Sequence, residues 1–195
     1  MDLPSSAFVE PRWNAPLDLA RSLGAIPADA TIAGMFFLAL SEGSQRRQVE
    51  LGFPRSRYLK FGFYPVRELA PLLVEAAQKF YPRMSVREGL RRIGRVAPAA
   101  LLQSTVGKVT LGVAEGVLAA VSAIAKTYGI YVRPSRCQVT RALPGSIVVS
   151  LDEVPHFLDS HHVGVFEGTL EFANAPGDVR IHRRGERSAD LLLTW

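Results

Sequence analysis

At 195 residues, 48% hydrophobic and 21% charged, the chain is long enough for one domain with a sizeable core and short for two. Its single cysteine, Cys137, excludes an internal disulfide framework and a multi-cysteine zinc cage, and the net charge of +5 raises nucleic acid as a partner without establishing it. The first residues show no basic stretch followed by an apolar core, and the longest apolar run, 116–125, is about half of the ~20 residues that a membrane span needs; a cytoplasmic protein is expected.

Residues 1–16 carry Pro4, Pro11 and Pro16 among small polar residues and read as a flexible arm ahead of a single domain over 17–195. A short helix is expected over 17–23, ended by Gly24. A second runs from near Asp29 through Ile32, Met35, Phe36 and Leu40 to Gly43, its apolar residues three and four apart. The stretch 44–63 holds Gly52, Pro54 and Gly62 and reads as an irregular connection. Pro65 suits the first position of a helix, where its missing N–H would have had no partner; that helix presents Leu69, Leu72, Leu73, Ala76 and Phe80 and stops at Tyr81-Pro82. Ser85-Val86-Arg87-Glu88 matches a capping box. The helix behind it carries Leu90, Ile93 and Val96 to Pro98, which is expected to break or kink it, leaving 99–106 to resume as a separate segment.

The stretch 112–128 is apolar nearly all round, with Val113, Val117, Leu118, Val121 and Ile124 interleaved with alanines, and Gly129 is expected to close it in the left-handed conformation. Such a helix is central to the fold, faces another subunit or lines a cavity. Two strands, 135–143 and 146–151, meet at Pro144-Gly145, a turn dipeptide that presets one φ and permits a positive one. A helix over 157–172 follows, with Leu158, Val165, Phe166 and Leu170 on its apolar face. Pro176-Gly177-Asp178 then introduces a second strand pair, 179–183 and 189–195. Helices followed by hairpin, helix and hairpin predict an α+β domain: N-terminal helices packed on one face of a four-stranded antiparallel sheet.

The basic residues are scattered except for Arg83, Arg87, Arg91, Arg92 and Arg95. Residues 87, 91 and 95 form a stripe along one helix face, which reads as a solvated surface or as a contact for an acidic partner or anionic ligand. The aromatic interleaving of a nucleic-acid platform is missing around them. Gly107-Lys108 lacks a phosphate-loop context, and no dinucleotide fingerprint or nucleophile elbow is present. His156, His161 and His162 cluster with Asp152, Glu153 and Asp159, but intervals of five and six residues do not match the three or four that place two ligands on one helix face, so no metal site is expected. Cys137 alternates with Val139 and reads as a small buried hydrophobe or as a reactive thiol. Asp152 and Glu153, adjacent on an extended segment, would point to opposite faces and cannot share acid–base work, so no catalytic residues are expected.

The combination of Ile32-Ala33-Gly34-Met35-Phe36-Phe37, Tyr64-Pro65-Val66-Arg67-Glu68, Arg87-Glu88-Gly89-Leu90-Arg91-Arg92-Ile93-Gly94-Arg95, Val154-Pro155-His156-Phe157-Leu158-Asp159-Ser160, Val163-Gly164-Val165-Phe166-Glu167-Gly168 and Ala189-Asp190-Leu191-Leu192-Leu193-Thr194-Trp195 resembles a paralogous family of myxobacterial proteins of unknown function over about residues 27–195. More distantly, the order of elements is similar to the superfamily of 4-vinyl-reductase-type sensor domains, haem-based nitric-oxide-binding domains and TRAPP tethering subunits. That likeness implies a ligand held between helices and sheet, or dimerisation through helices. The haem-binding members use a histidine in the helical half, where this chain has none, and the zinc-binding members use several cysteines; no cofactor is expected here.

Together these features favour a non-enzymatic module that binds a small apolar or amphipathic ligand, with Phe36, Tyr128, Cys137, Phe157, Phe166 and Trp195 as pocket candidates. The alternative is a homodimeric protein-interaction adaptor built on the alanine-rich helix and on Arg87, Arg91 and Arg95 facing the acidic segment 152–171. A nucleic-acid-associated basic protein is the weaker third.

Overall fold

The computed structural model describes residues 4–103 and 116–195, with side chains at 4–98 and 116–195. The C-terminal part folds as its turn chemistry requires. Strands β4 (Arg136–Leu143) and β5 (Ser146–Asp152) pair antiparallel across Pro144-Gly145, with Leu143 opposite Ser146 and Gly145 at φ 75°, a conformation glycine adopts without steric cost. Strands β6 (Asp178–Arg183) and β7 (Ala189–Thr194) form the second pair, and β5 pairs with β7, giving the antiparallel order β4-β5-β7-β6.

Alternation along the strands gives this sheet two apolar faces. Ile147, Val149, Leu151, Val179, Ile181, Leu191 and Leu193 form one core with helix α5 (Val117–Tyr131) and helix α6 (His161–Phe172). On the other face Val148 and Leu192 meet Phe8, which is 4% exposed. The stretch expected to form a flexible arm is docked from Ala7 onward: Val9 and Ile181 exchange backbone hydrogen bonds, His182 Nδ1 donates to the Ala7 carbonyl, and Arg91 lies over the Trp13 ring. Phe8 and Trp13 are the two aromatic residues in that stretch, and each covers surface that would otherwise be wet.

The N-terminal helices are α1 (Leu19–Gly24), capped by the Asp18 side chain, α2 (Gly34–Arg46), α3 (Val66–Phe80) and α4 (Val86–Gln103). They enclose a second core around Phe37, Leu69, Leu73, Ala76 and Leu90. Three differences from expectation stand out. Thr31–Ala33 is strand β1 rather than the start of a helix; it pairs with β2 (Phe63–Pro65) and with β3 (Val132–Arg133) in a small antiparallel sheet of order β2-β1-β3. Helix α4 continues through Pro98 instead of stopping there, and α5 runs through Gly129 to Tyr131, so that glycine is no cap. The residues from 104 to 115, including the expected start of the apolar helix and Gly107-Lys108, lie outside the described residues. Ala120, Ala123 and Ala125 of α5 are buried within the chain, whereas Leu118 and Ile130 on the same helix are exposed.

Helix α4 lies directly along α6. Added Cβ atoms at Gly164 and Gly168 would stand 1.9 Å from the carbonyl oxygens of Arg91 and Arg95, and one at Gly94 would stand 2.0 Å from the His161 carbonyl. The two backbones therefore touch, and only glycine fits at these three places.

Candidate functional site

This close packing sets the position of the first turn of α6. Before it, residues 153–160 leave β5 without regular structure, and Glu153 and Phe157 take positive φ values of 55° and 39°. Positive φ is sterically costly for a bulky residue and persists only where the surroundings hold it. The consequence is that His156, from this segment, turns back onto His161 and His162 at the start of α6: the ring centroids lie 5.1–5.6 Å apart. One nitrogen from each ring falls within 4.8 Å of the others. His156 stands outside the helix that begins at His161, so the three- or four-residue interval required of two ligands on one helix face does not apply to it.

His162 has both nitrogens engaged. Its Nδ1–H donates to the Phe157 carbonyl at 3.3 Å, which leaves Nε2 to accept from the Tyr128 hydroxyl at 2.6 Å. The other two rings are not satisfied. Among the described residues, four buried side-chain polar atoms have no hydrogen-bond partner, and three of them, His156 Nδ1, Ser160 Oγ and His161 Nδ1, fall within 156–161. Burial disfavours the imidazolium: it holds His156 well below its ordinary pKa and takes His161 to about 3 and His162 to about 4, with mutual repulsion adding at His156 and His161. The rings are neutral near pH 7, the state in which imidazole ligates metals.

His156 also forms part of the wall of a cleft of about 610 Å³, open between α1 and the residues before it, the segment 154–159 and the turn joining β6 to β7. Its apolar lining includes Leu17, Ala25, Val154, Phe157 and Leu158, and five arginines, Arg21, Arg87, Arg183, Arg184 and Arg187, line it beside the acids Asp18, Asp159 and Glu186. Arg21 pairs with Glu186, Arg87 and Arg183 with Asp159, and Arg184 with Asp152 and Asp190. Arg187 has no carboxylate partner among the described residues.

The arginine stripe expected to meet a partner or an anion meets this chain's own acids instead. Arg87 reaches Asp159 at 2.7 Å, Arg91 grips Glu167 with Nε and Nη2 at 2.8–3.0 Å, and Arg95 pairs with Glu171. The acidic segment and the stripe were both legible; their pairing across α4 and α6 follows from the glycine contact.

The six pocket candidates do not converge. Phe157 lines the cleft. Tyr128 adjoins His162, and Cys137 packs half-buried at the edge of the same sheet core. Phe36 belongs to the N-terminal core, Phe166 is buried under the sheet, and Trp195 is 40% exposed at the end of β7. The residues missed as site residues were Arg187, Leu17 and Val154, together with the approach of His156 to His161 and His162, which no local pattern announces. Among the described residues no helix is long and apolar enough to cross a membrane.

Among solved structures, the chain is similar to the Fe(II) unliganded H-NOX protein from K. algicida, at 14% identity and TM-score 0.63, over 84% of this chain and 96% of that one. It is similar as well to an H-NOX protein from S. oneidensis in the Fe(II)NO ligation state, at 14% identity and TM-score 0.56, over 83% and 98%. No curated protein matches the sequence. Residues 26–195 match the family described as "Protein of unknown function (DUF2378)", and the chain belongs to that family.

Proposed function

We propose that this member of the DUF2378 family is a non-enzymatic, sensor-like module that binds a small amphipathic molecule with an anionic head group. The observation that carries the reading is the cleft, whose lining combines apolar Leu17, Val154 and Leu158 with Arg187, a half-buried residue with no carboxylate partner among the described residues. An apolar tail would gain from burial against the apolar lining, and a carboxylate or phosphate would take charge-assisted hydrogen bonds from Arg187.

The carboxylates around the cleft support a binding role over a catalytic one. Of the acids that line it, Asp159 is tied to Arg87 and Arg183, Glu186 to Arg21, and Asp18 accepts from the Arg21 N–H as the cap of α1, which leaves none of them as a ready general base.

The H-NOX proteins named above are described in Fe(II) states, and haem is named for the H-NOX family. The residues here do not fit that group. All four histidines lie at 156 or beyond. Three of them bring one nitrogen each within 4.8 Å of one another, a cluster suited to a single ion rather than to one face of a planar macrocycle.

Native mass spectrometry of freshly purified protein tests the reading. A retained small molecule, lost when Ser22→Trp fills the cleft, is the expected result. A wild-type protein that carries nothing and takes up no anionic amphiphile overturns it.

A further inference from the structure

We infer that His156, His161 and His162 form a binding site for one divalent d-block cation of the zinc type. The inference stands apart from the cleft reading, and either can fail alone.

The donor set selects the ion class. Three neutral imidazoles, with no thiolate or carboxylate grouped with them among the described residues, suit Zn2+ and its neighbours Co2+, Ni2+ and Cu2+, whereas Mg2+ and Ca2+ require oxygen ligands. Asp159, the nearest acid in sequence, is held by Arg87 and Arg183. Nitrogens around a tetrahedral zinc lie about 3.4 Å apart for Zn–N bonds of about 2.05 Å. Atoms already within 4.8 Å of one another need to close by at most about 1.4 Å, which rotations of the rings supply.

The orphaned atoms point the same way. His156 is 5% exposed, and its Nδ1, like that of His161, has no partner. Two unpaired imidazole nitrogens, on rings whose centroids lie 5.6 Å apart, cost stability in a buried site that a bound cation would return. His162 already shows the outer-shell arrangement of a ligating histidine. Its Nδ1–H donates to the Phe157 carbonyl, which fixes the tautomer and leaves Nε2 as the donor atom; the Tyr128 hydroxyl holds that lone pair at 2.6 Å and gives it up when the ion enters. His182 is the internal control, since its ring is bonded to the Ala7 carbonyl in the N-terminal strap, away from the cluster.

The test is calorimetric titration of ZnCl2 into chelator-treated full-length protein, with a parallel Co2+ titration followed by visible absorption. The expected result is one Zn2+ per chain at a micromolar or tighter Kd, and intense d–d bands of a four-coordinate Co2+ complex. His156→Gln and His161→Gln should each weaken binding by about 100-fold or more, and His182→Gln should leave it unchanged. Because a histidine variant can fail to fold, the wild-type Co2+ spectrum gives a separate readout: paramagnetic shifts confined to three imidazole rings support the site. No stoichiometric binding, a six-coordinate Co2+ spectrum, or equal losses in the His156 and His182 variants would overturn it.

Discussion

Gly164 on α6 lies so close to Arg91 on α4 that a methyl group in place of its hydrogen would meet the Arg91 carbonyl oxygen at 1.9 Å. In an open helix Gly→Ala gains about 1 kcal/mol from backbone entropy. Here overpacking outweighs that gain, so Gly164→Ala should cost about 1–3 kcal/mol net in urea unfolding. Gly43→Ala on α2 is the contrast: its Cβ would meet only the Phe80 ring edge at 3.9 Å, and it should stabilise by up to about 1 kcal/mol. The same sign for both variants would contradict the backbone contact.

The ion pairs across the same helices should differ by their exposure. Arg91 and Glu167 are 21% and 9% exposed, whereas Arg95 and Glu171 are 43% and 41%. Arg91→Met leaves a buried carboxylate without its counter-charge and should cost about 3 kcal/mol, most of it recovered by adding Glu167→Gln. Arg95→Met should cost less than ~1 kcal/mol. Chemical denaturation of the three variants checks the order.

Cys137 is held as a neutral thiol. Burial pushes its pKa up to about 12, so at pH 8 only about one molecule in ten thousand carries the thiolate. Native protein should react with a disulfide reagent far more slowly than urea-unfolded protein. A native rate near the unfolded one would reopen the reactive-thiol reading.

The histidine cluster gives the metal-stripped protein a pH dependence of definite sign. Unfolded, the rings take up protons below about pH 6.5. Folded, His161 resists until about 3 and His162 until about 4, and His156 is also held well below its ordinary range. The unfolded state thus binds more protons as the pH falls, and stability drops from about pH 6.5 toward 4 by up to about 1.4 kcal/mol per pH unit for each ring. Glu68, Glu75 and Glu171, whose pKa values are lowered by Arg55, Lys79 and Arg95, act only below about pH 4.5. Equal urea midpoints at pH 7 and pH 5 in the presence of chelator would contradict a buried neutral cluster.

The sheet was legible because its signals are local: alternating apolar residues on either side of Pro144-Gly145, and a second pair announced by Pro176-Gly177-Asp178. Strand β1 was not, since three residues are too few to show a period of two and Thr31–Ala33 is extended only because β2 and β3 flank it. The candidate site was legible by composition and not by arrangement. The histidines and the arginine stripe could be named from spacing. That Arg91 would find Glu167, and that His156 would fold back on His161, depends on the α4–α6 approach and on a positive φ at Phe157, for which the residues themselves give no cue.

Binding in the cleft is the claim that the rest of the account serves. Titration calorimetry of a straight-chain carboxylate, dodecanoate below its micellar concentration, into wild type, Arg187→Ala and Ser22→Trp tests it most directly. One site per chain is expected, weakened about tenfold or more by Arg187→Ala and abolished by Ser22→Trp. Equal affinity in all three proteins would place the amphiphile elsewhere and contradict the account.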